Sequence, residues 1–265
     1  MRIEVVNQIN SASLEQINLD RASLFGDGFF TTGIIVAHEF CHQEWHFERL
    51  IKSAQKLQFT DFVLDGIKES ILALCNNHQN ATIRISISRL QTERGYAISN
   101  KAEYRCMIFL SNLIKIPTIP CELIDANTAV SCNKSLAGIK HLNRLDSVLA
   151  ASEIDCANQE VLMYHDDLVI CGSRSNLFVK LNDRWLTPKL ELCGVEGITR
   201  GRVLDMFKKR QICYRVADIK RSDLENVNAA FVTNSLIGIW PVASINKHKL
   251  NFEESHHFKA LVNRK

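Results

Sequence analysis

Apolar and polar positions in the first hundred residues alternate between two periods. The runs IEVVNQI and GIIVAHEF are rich in β-branched and apolar residues, ATIRISISR alternates strictly at period two, and RCMIFLS is a further short apolar run. All four predict strands. WHFERLIKSAQKL and DFVLDGIKESILALC instead carry apolar residues three and four apart, which predicts two helices. Around Ile114 to Cys121 the text KIPTIPC places two of the 4 prolines within a few residues, as suits an extended connection. The expected organisation is a small α/β domain over 1–113, a linker over 114–121 and a larger domain over 122–265.

The second half opens on the strand-like NTAVSC and passes through LAGIKHLNRLD (Leu136 to Asp146) into a helix predicted over Asn143 to Cys156. Leu142, Leu145, Val148 and Leu149 would form its apolar stripe. EVLMYH, DLVICG, LFVKLN and RWLTP predict strands, a helix is predicted from Gly197 through Lys209, and ICYRVADI and NAAFVTN predict late strands. Without an internal repeat or a low-complexity tract, the pattern gives an α+β fold of two unequal domains.

Composition narrows the function classes. With 46% apolar and 23% charged residues, the 265-residue chain can bury a substantial core. A net charge of +3, with no basic run beyond KKR at Lys208 to Arg210, argues against nucleic acid as a partner. The 9 cysteines are scattered with no CxxC pair, which suits reduced thiols in a cytoplasmic protein better than a disulfide framework or a zinc site. MRIEVVNQIN lacks a signal-type apolar region, and the most apolar stretch, Ala229 to Ala243, is interrupted by polar residues and Pro241, so no membrane span is expected.

Helix periodicity explains Leu142 and Leu145 but gives no reason for Gly138 and Lys140. A lysine is ordinarily a solvated surface residue. Beside Leu136, Ile139 and Leu142, however, burial would favour the neutral amine that Schiff-base chemistry with an aldehyde or ketone requires. CGVEGITRGRVLDMF puts glycines and Thr199 at a helix start, where free N–H groups and the helix dipole form a phosphate site. A second polar turn, VTNSLIG, offers backbone amides and the Ser235 hydroxyl, and Arg49 in HFERL could add a charge-assisted bond. A Schiff-base lysine with a phosphate cradle suggests pyridoxal 5'-phosphate.

The segments DRASLFGDGFFTT, HFERL, ISRLQTERGY, LAGIKHLNRLDSVLA, SRSNLF, GVEGITR and VTNSLIGIWPV, in this order, cover nearly the whole chain. In this set the sequence resembles the fold-type IV, or class IV aminotransferase, family of pyridoxal-phosphate enzymes. AGIKHLNRL and FGDGFFTT bring it nearest to the lyase branch, which converts 4-amino-4-deoxychorismate to 4-aminobenzoate and pyruvate for folate synthesis. The resemblance implies a two-domain fold like that of D-amino-acid aminotransferase, with a β-rich C-terminal domain, a small-molecule substrate and a homodimer. It implies that Lys140 is the Schiff-base lysine and proton shuttle, and that Arg49, Ile198, Thr199, Asn234 and Ser235 hold the cofactor phosphate. It further implies that Arg94 holds a substrate carboxylate and that Thr31 and Thr32 fall where the lyase presents a threonine to protonate the leaving enolpyruvate. A branched-chain or D-amino-acid transaminase, and a non-catalytic relative, are the alternatives.

In one respect the chain departs from the family pattern. Five residues before the asparagine of SNLF the family usually has a glutamate facing the pyridine nitrogen; here the cofactor-binding position is Cys171. A thiol supplies no fixed negative charge at neutral pH. That should harm a transaminase, which must reprotonate a delocalised carbanion, more than a lyase whose product becomes aromatic. Another acid, such as Glu160, is the alternative partner.

Overall fold

A computed structural model describes residues 2–6, 21–90, 95–98 and 103–262. The chain divides into two compact units, Met1–Ile114 with Ile139–Asn143, and Lys115–Gly138 with Arg144–Lys265. Lys140 therefore counts with the first unit, where the sequence reading put it in the second domain. The cause is backbone pairing of its segment with a strand of the first unit.

In the first unit, chain order is β1 (Arg2–Val6), α1 (Arg21–Phe25), β2 (Gly28–Val36), β3 (Glu39–Phe40), α2 (Gln43–Lys56), α3 (Asp65–Asn77), β4 (Asn80–Arg89) and β5 (Tyr104–Ser111). The sheet order is β1-β5-β4-β2-β3, with β1 parallel to β5 and the other pairs antiparallel. The strict alternation of ATIRISISR sends Ile83, Ile85 and Ile87 to one face, where they are buried with Phe29, Ile35, Leu50 of α2 and Ile67 of α3. The opposite face carries Arg84, Ser86 and Ser88, the polar members of the same alternation.

The second unit runs β6 (Cys121–Asp125), α4 (Leu145–Ala151), β7 (Gln159–His165), β8 (Leu168–Gly172), β9 (Asn176–Leu181), β10 (Arg184–Pro188) and α5 (Ile198–Lys209). It continues with β11 (Tyr214–Ala217), β12 (Ala229–Asn234), β13 (Gly238–Ile245), β14 (His248–Lys249) and α6 (Glu253–Val262). The sheet order is β11-β10-β9-β12-β13-β6-β7-β8, with β14 on β13. Leu177, Val179, Ala230 and Val232 pack to one side of it. Phe178, Trp185, Phe231, Phe207 of α5 and Phe258 of α6 form an aromatic core on the other, in which the rings of Phe178 and Phe231 stack at 4.8 Å. All nine cysteines are free thiols.

Three sequence expectations are corrected. NTAVSC forms no strand: the N–H groups of Asn127 and Thr128 donate to the Glu153 carboxylate at 2.6 and 2.9 Å, and that of Ser131 to Asp146 at 3.0 Å. Side chains thus take the donors that a ladder would need. The strand lies earlier, as β6, overlapping the expected linker. The helix expected over Asn143 to Cys156 is only the seven residues of α4. Its apolar stripe is not core either, since Leu145, Val148 and Leu149 are 69%, 60% and 51% exposed.

Candidate active site

In the first unit the Lys140 segment lies along the part of β2 that β3 leaves open. Phe30 N–H donates to the Lys140 carbonyl and Leu142 N–H to the Gly28 carbonyl, both at 2.9 Å. Gly28 is required there, because a Cβ would come within 2.3 Å of the Ile87 carbonyl oxygen. This pairing fixes the backbone of Lys140, and its half-buried side chain brings Nζ to 4.6 Å from the centre of the Phe30 ring. The guanidinium of Arg84 lies 3.7 Å from the same ring. Its Nε donates to Ser86 Oγ at 3.0 Å, and burial lowers its pKa from the ordinary value. Sequence reasoning missed Arg84, although the period of β4 set it on the polar face.

Register separates the two threonines. Phe30 pairs with Ser86 and Thr32 with Arg84, so Phe30, Thr32, Arg84 and Ser86 share one face of the sheet. Thr31 faces the core. It is fully buried, and its hydroxyl is 2.6 Å from Nδ1 of His46, itself 1% exposed. Burial, followed by the charges of Arg49 and His42, holds the His46 pKa well below 6.5, so the ring is neutral at pH 7. Thr32 is half-buried on the face that carries Phe30. Of the two candidates, only Thr32 shares a face with the ring over which Lys140 lies. Arg49, half-buried one turn after His46 on α2, is close enough to act on that histidine electrostatically. Arg94 lies outside the described residues.

In the second unit, Asn176 organises the polar turns. It is the register partner of Thr233 at the end of β12, and its Nδ2 donates to the Val195 carbonyl at 2.9 Å. Its Oδ1 approaches Gly197 so closely that any Cβ there would collide with it. Gly197 is the N-cap of α5 and makes no side-chain cap, so the first N–H groups of a twelve-residue helix, those of Ile198 and Thr199, have no capping side chain. Arg200, the next residue, is engaged elsewhere: it donates to Thr187 Oγ1 and the Pro188 carbonyl. Across β12, the Asn234 side chain accepts the N–H groups of Leu236 and Ile237, both at 2.9 Å, which folds the turn that carries Ser235. Beside that turn the buried Thr233 Oγ1 has no hydrogen-bond partner among the described residues. Ile198, Thr199, Asn234 and Ser235 thus flank one asparagine, and the chemistry such an array accommodates is that of an anion.

Cys171 and Glu160 lie on opposite faces of the β7–β8 ribbon. Cys171 pairs with Met163 and Gly172 with Leu162, so the Cys171 side chain points with Val161 and Met163 while Glu160 points the other way. The Glu160 carboxylate, 1% exposed, is also fully engaged. It accepts Ser173 N–H and Oγ, Ser175 Oγ and Val161 N–H at 2.6 to 3.1 Å. It ties the Ser173–Asn176 turn together. Arg144, whose pKa is lowered by burial, interacts electrostatically with Asp146 and with Cys171.

A family model for class IV amino-transferases matches residues 28–245. The chain is 31% identical to the aminodeoxychorismate lyase of Vibrio harveyi over 245 residues, 88% of this chain and 89% of that one. It is 24% identical to the D-alanine aminotransferase of Listeria innocua over 238 residues, 86% of this chain and 81% of that one. Its fold is similar to the crystal structure of 4-amino-4-deoxychorismate lyase from Pseudomonas aeruginosa, with a TM-score of 0.85 and 26% identity, covering 98% of this chain and 97% of that one.

Proposed function

Because the chain belongs to the class IV aminotransferase family, we propose that it is a pyridoxal-phosphate-dependent lyase that converts 4-amino-4-deoxychorismate to 4-aminobenzoate and pyruvate. The observation that carries this reading is the amine of Lys140, held 4.6 Å from the Phe30 ring on a sheet face that also carries the Thr32 hydroxyl and the Arg84 guanidinium. A base, a proton donor and a cation for a carboxylate are the groups such an elimination needs.

The residues fit the cofactor. An uncapped helix start, a glycine where a Cβ would collide and an orphaned buried hydroxyl are features of a phosphate cradle. When bound, pyridoxal 5'-phosphate supplies an aldehyde for the amine and a ring that takes up electron density. Ile198 and Thr199 would hold its phosphate through their N–H groups, with Asn234 and Ser235 adding the second turn and Arg49 a positive charge. Asn234 contributes its backbone, since its side-chain oxygen is occupied within the turn.

Lys140 takes the proton from the ring carbon that bears the substrate amine. The bond from the ring to the enolpyruvyl oxygen then breaks, and Thr32 delivers a proton to the departing enolpyruvate, which becomes pyruvate. Arg84 and Arg94 offer planar forks to the substrate carboxylates. Cys171, beside Arg144, gives the pyridine nitrogen no counterion, which suits a reaction driven by aromatisation of its product better than amino transfer. The nine free thiols support a cytoplasmic setting. Among the described residues, no helix is long and apolar enough to cross a membrane. The exposed Leu145, Val148 and Leu149 of α4 support a homodimer.

Purified protein supplied with pyridoxal 5'-phosphate and freshly generated 4-amino-4-deoxychorismate should release 4-aminobenzoate and pyruvate in equal amounts, and Lys140→Ala should release neither. Amino transfer from an amino acid to a keto acid without 4-aminobenzoate formation would overturn the reading.

A further inference from the structure

The bonds of the buried Glu160 carboxylate go almost entirely to one turn. Oε1 accepts Ser173 Oγ at 2.6 Å, Ser173 N–H at 3.1 Å and Val161 N–H at 3.0 Å, and Oε2 accepts Ser175 Oγ at 3.0 Å. The mostly exposed Arg174 brings its Nε to 3.7 Å from the same Oε2. A carboxylate away from water is tolerated when its oxygens are bonded in this way. Gly172 leaves the room for it, since a Cβ there would lie 2.3 Å from Ser175 Oγ and 2.9 Å from Glu160 Cδ. Gly172 N–H donates to the Ser175 carbonyl at 2.8 Å, which closes the turn between β8 and β9 over the carboxylate.

The same turn meets both parts of the phosphate cradle. The Arg174 carbonyl accepts Asn234 Nδ2 at 3.3 Å, so the turn that carries Ser235 leans on it. Asn176, the first residue of β9, donates to the Val195 carbonyl at 2.9 Å and sets its Oδ1 against Gly197, the N-cap of α5. Its register partner is Thr233, whose buried Oγ1 has no hydrogen-bond partner among the described residues. A connection of three residues and the asparagine that follows it thus touch the start of α5 on one side and the Asn234 turn on the other. Glu160 grips that connection at two of its three residues.

We propose that Glu160 is a positioning residue for the cofactor phosphate: through Ser173 and Ser175 it fixes the turn against which the start of α5 and the Asn234 turn are set. The inference rests on the pyridoxal-phosphate reading for the identity of the anion, and on hydrogen-bond geometry alone for the tie between the turns. Glu160 acts through the turn, so its loss should loosen the hold on the phosphate and spare the rest of the cofactor's binding.

The test uses the full-length protein freed of cofactor, with Glu160→Ala, Glu160→Gln and Ser175→Ala, and compares pyridoxal 5'-phosphate with pyridoxal, which lacks the phosphate. Read by quenching of tryptophan fluorescence, Glu160→Ala should bind pyridoxal 5'-phosphate about tenfold more weakly, with its affinity for pyridoxal kept within about threefold. Glu160→Gln should recover most of the loss, because its amide oxygen accepts from Ser173 and its NH2 group donates to the Ser175 hydroxyl. Should Glu160→Ala fail to fold, Ser175→Ala, which keeps the Ser173 bonds, should show a loss of about threefold or more confined to the phosphate-bearing ligand. No loss in a folded variant, or equal losses for the two ligands as a general structural defect produces, would overturn the positioning role. Amide hydrogen exchange in peptides spanning Ser173 to Asn176 and Val195 to Thr199 should also speed up by about tenfold in Glu160→Ala or about threefold in Ser175→Ala, and unchanged exchange would overturn the tie. If the unsubstituted protein does not prefer pyridoxal 5'-phosphate to pyridoxal, the cofactor reading fails and the phosphate half of this inference with it, whereas the exchange result still decides the tie.

Discussion

The two threonines of FGDGFFTT give the most discriminating perturbation, because the fold assigns them opposite surroundings. Thr31 is fully buried, and its hydroxyl joins Nδ1 of the buried His46 at 2.6 Å. Thr31→Val keeps the shape but leaves that nitrogen without a partner away from water, a loss of about 1 to 3 kcal/mol. The neutral imidazole cannot relieve the loss by taking a proton, since burial already opposes its charged form. Thr32 faces the other way, with Arg84 as its register partner. Thr32→Val leaves the bond between Thr31 and His46 in place but deletes a positioned proton donor, which typically lowers kcat by about 100-fold or more. Urea unfolding followed by tryptophan fluorescence reads the first effect, and initial rates of 4-aminobenzoate release read the second. The account requires that the substitutions divide, with Thr31→Val unstable but active when folded and Thr32→Val stable but slow. A Thr31→Val enzyme of undiminished stability and lost activity would refute the face assignment.

Three further outcomes follow from the same geometry. The folded-state pKa of His46 lies well below the unfolded value of 6.5, so the unfolded chain binds the proton first as pH falls. Its contribution to stability is complete above pH 6.5 and declines below it by about 1.4 kcal/mol per pH unit until the folded-state pKa is reached; His46→Gln should remove that slope from urea midpoints measured between pH 7.5 and 5. Gly197→Ala should weaken pyridoxal 5'-phosphate binding by about tenfold or more, because a Cβ would displace Asn176 from the start of α5; cofactor titration by fluorescence quenching would check it, and an unchanged affinity would remove Asn176 from the cradle. Cys171→Glu should place a carboxylate beside Arg144 and raise amino transfer to a keto acid by about tenfold while lyase activity persists; lost lyase activity with unchanged transfer would contradict the role given to the thiol.

Much of this arrangement was legible in the sequence wherever a period ran without competition. ATIRISISR and the α2 segment form the elements their spacing predicts, and GVEGITR opens a helix one residue after its glycine. Elsewhere side chains displaced the backbone pattern. Glu153 and Asp146 satisfy the donors of NTAVSC from a distance in sequence that no local window contains. The prolines of KIPTIPC hid β6, which begins directly after them. Asn143 stays out of the following helix, its Nδ2 donating to the Gly26 carbonyl at 3.3 Å. Period two said that one of Thr31 and Thr32 points inward but not which, because the phase depends on His46 lying beneath β2. Likewise the sequence offers Glu160 as an alternative acid, and only the register of β7 against β8 shows that it lies on the face opposite Cys171.

The central claim is that the amine of Lys140 is the one that engages the cofactor, and chemical trapping tests it most directly. Protein incubated with pyridoxal 5'-phosphate should show a visible absorbance band that borohydride abolishes, and peptide mapping should then find the cofactor fixed to the peptide containing Lys140. No band, or a cofactor fixed to a different lysine with Lys140 unmodified, would contradict the account.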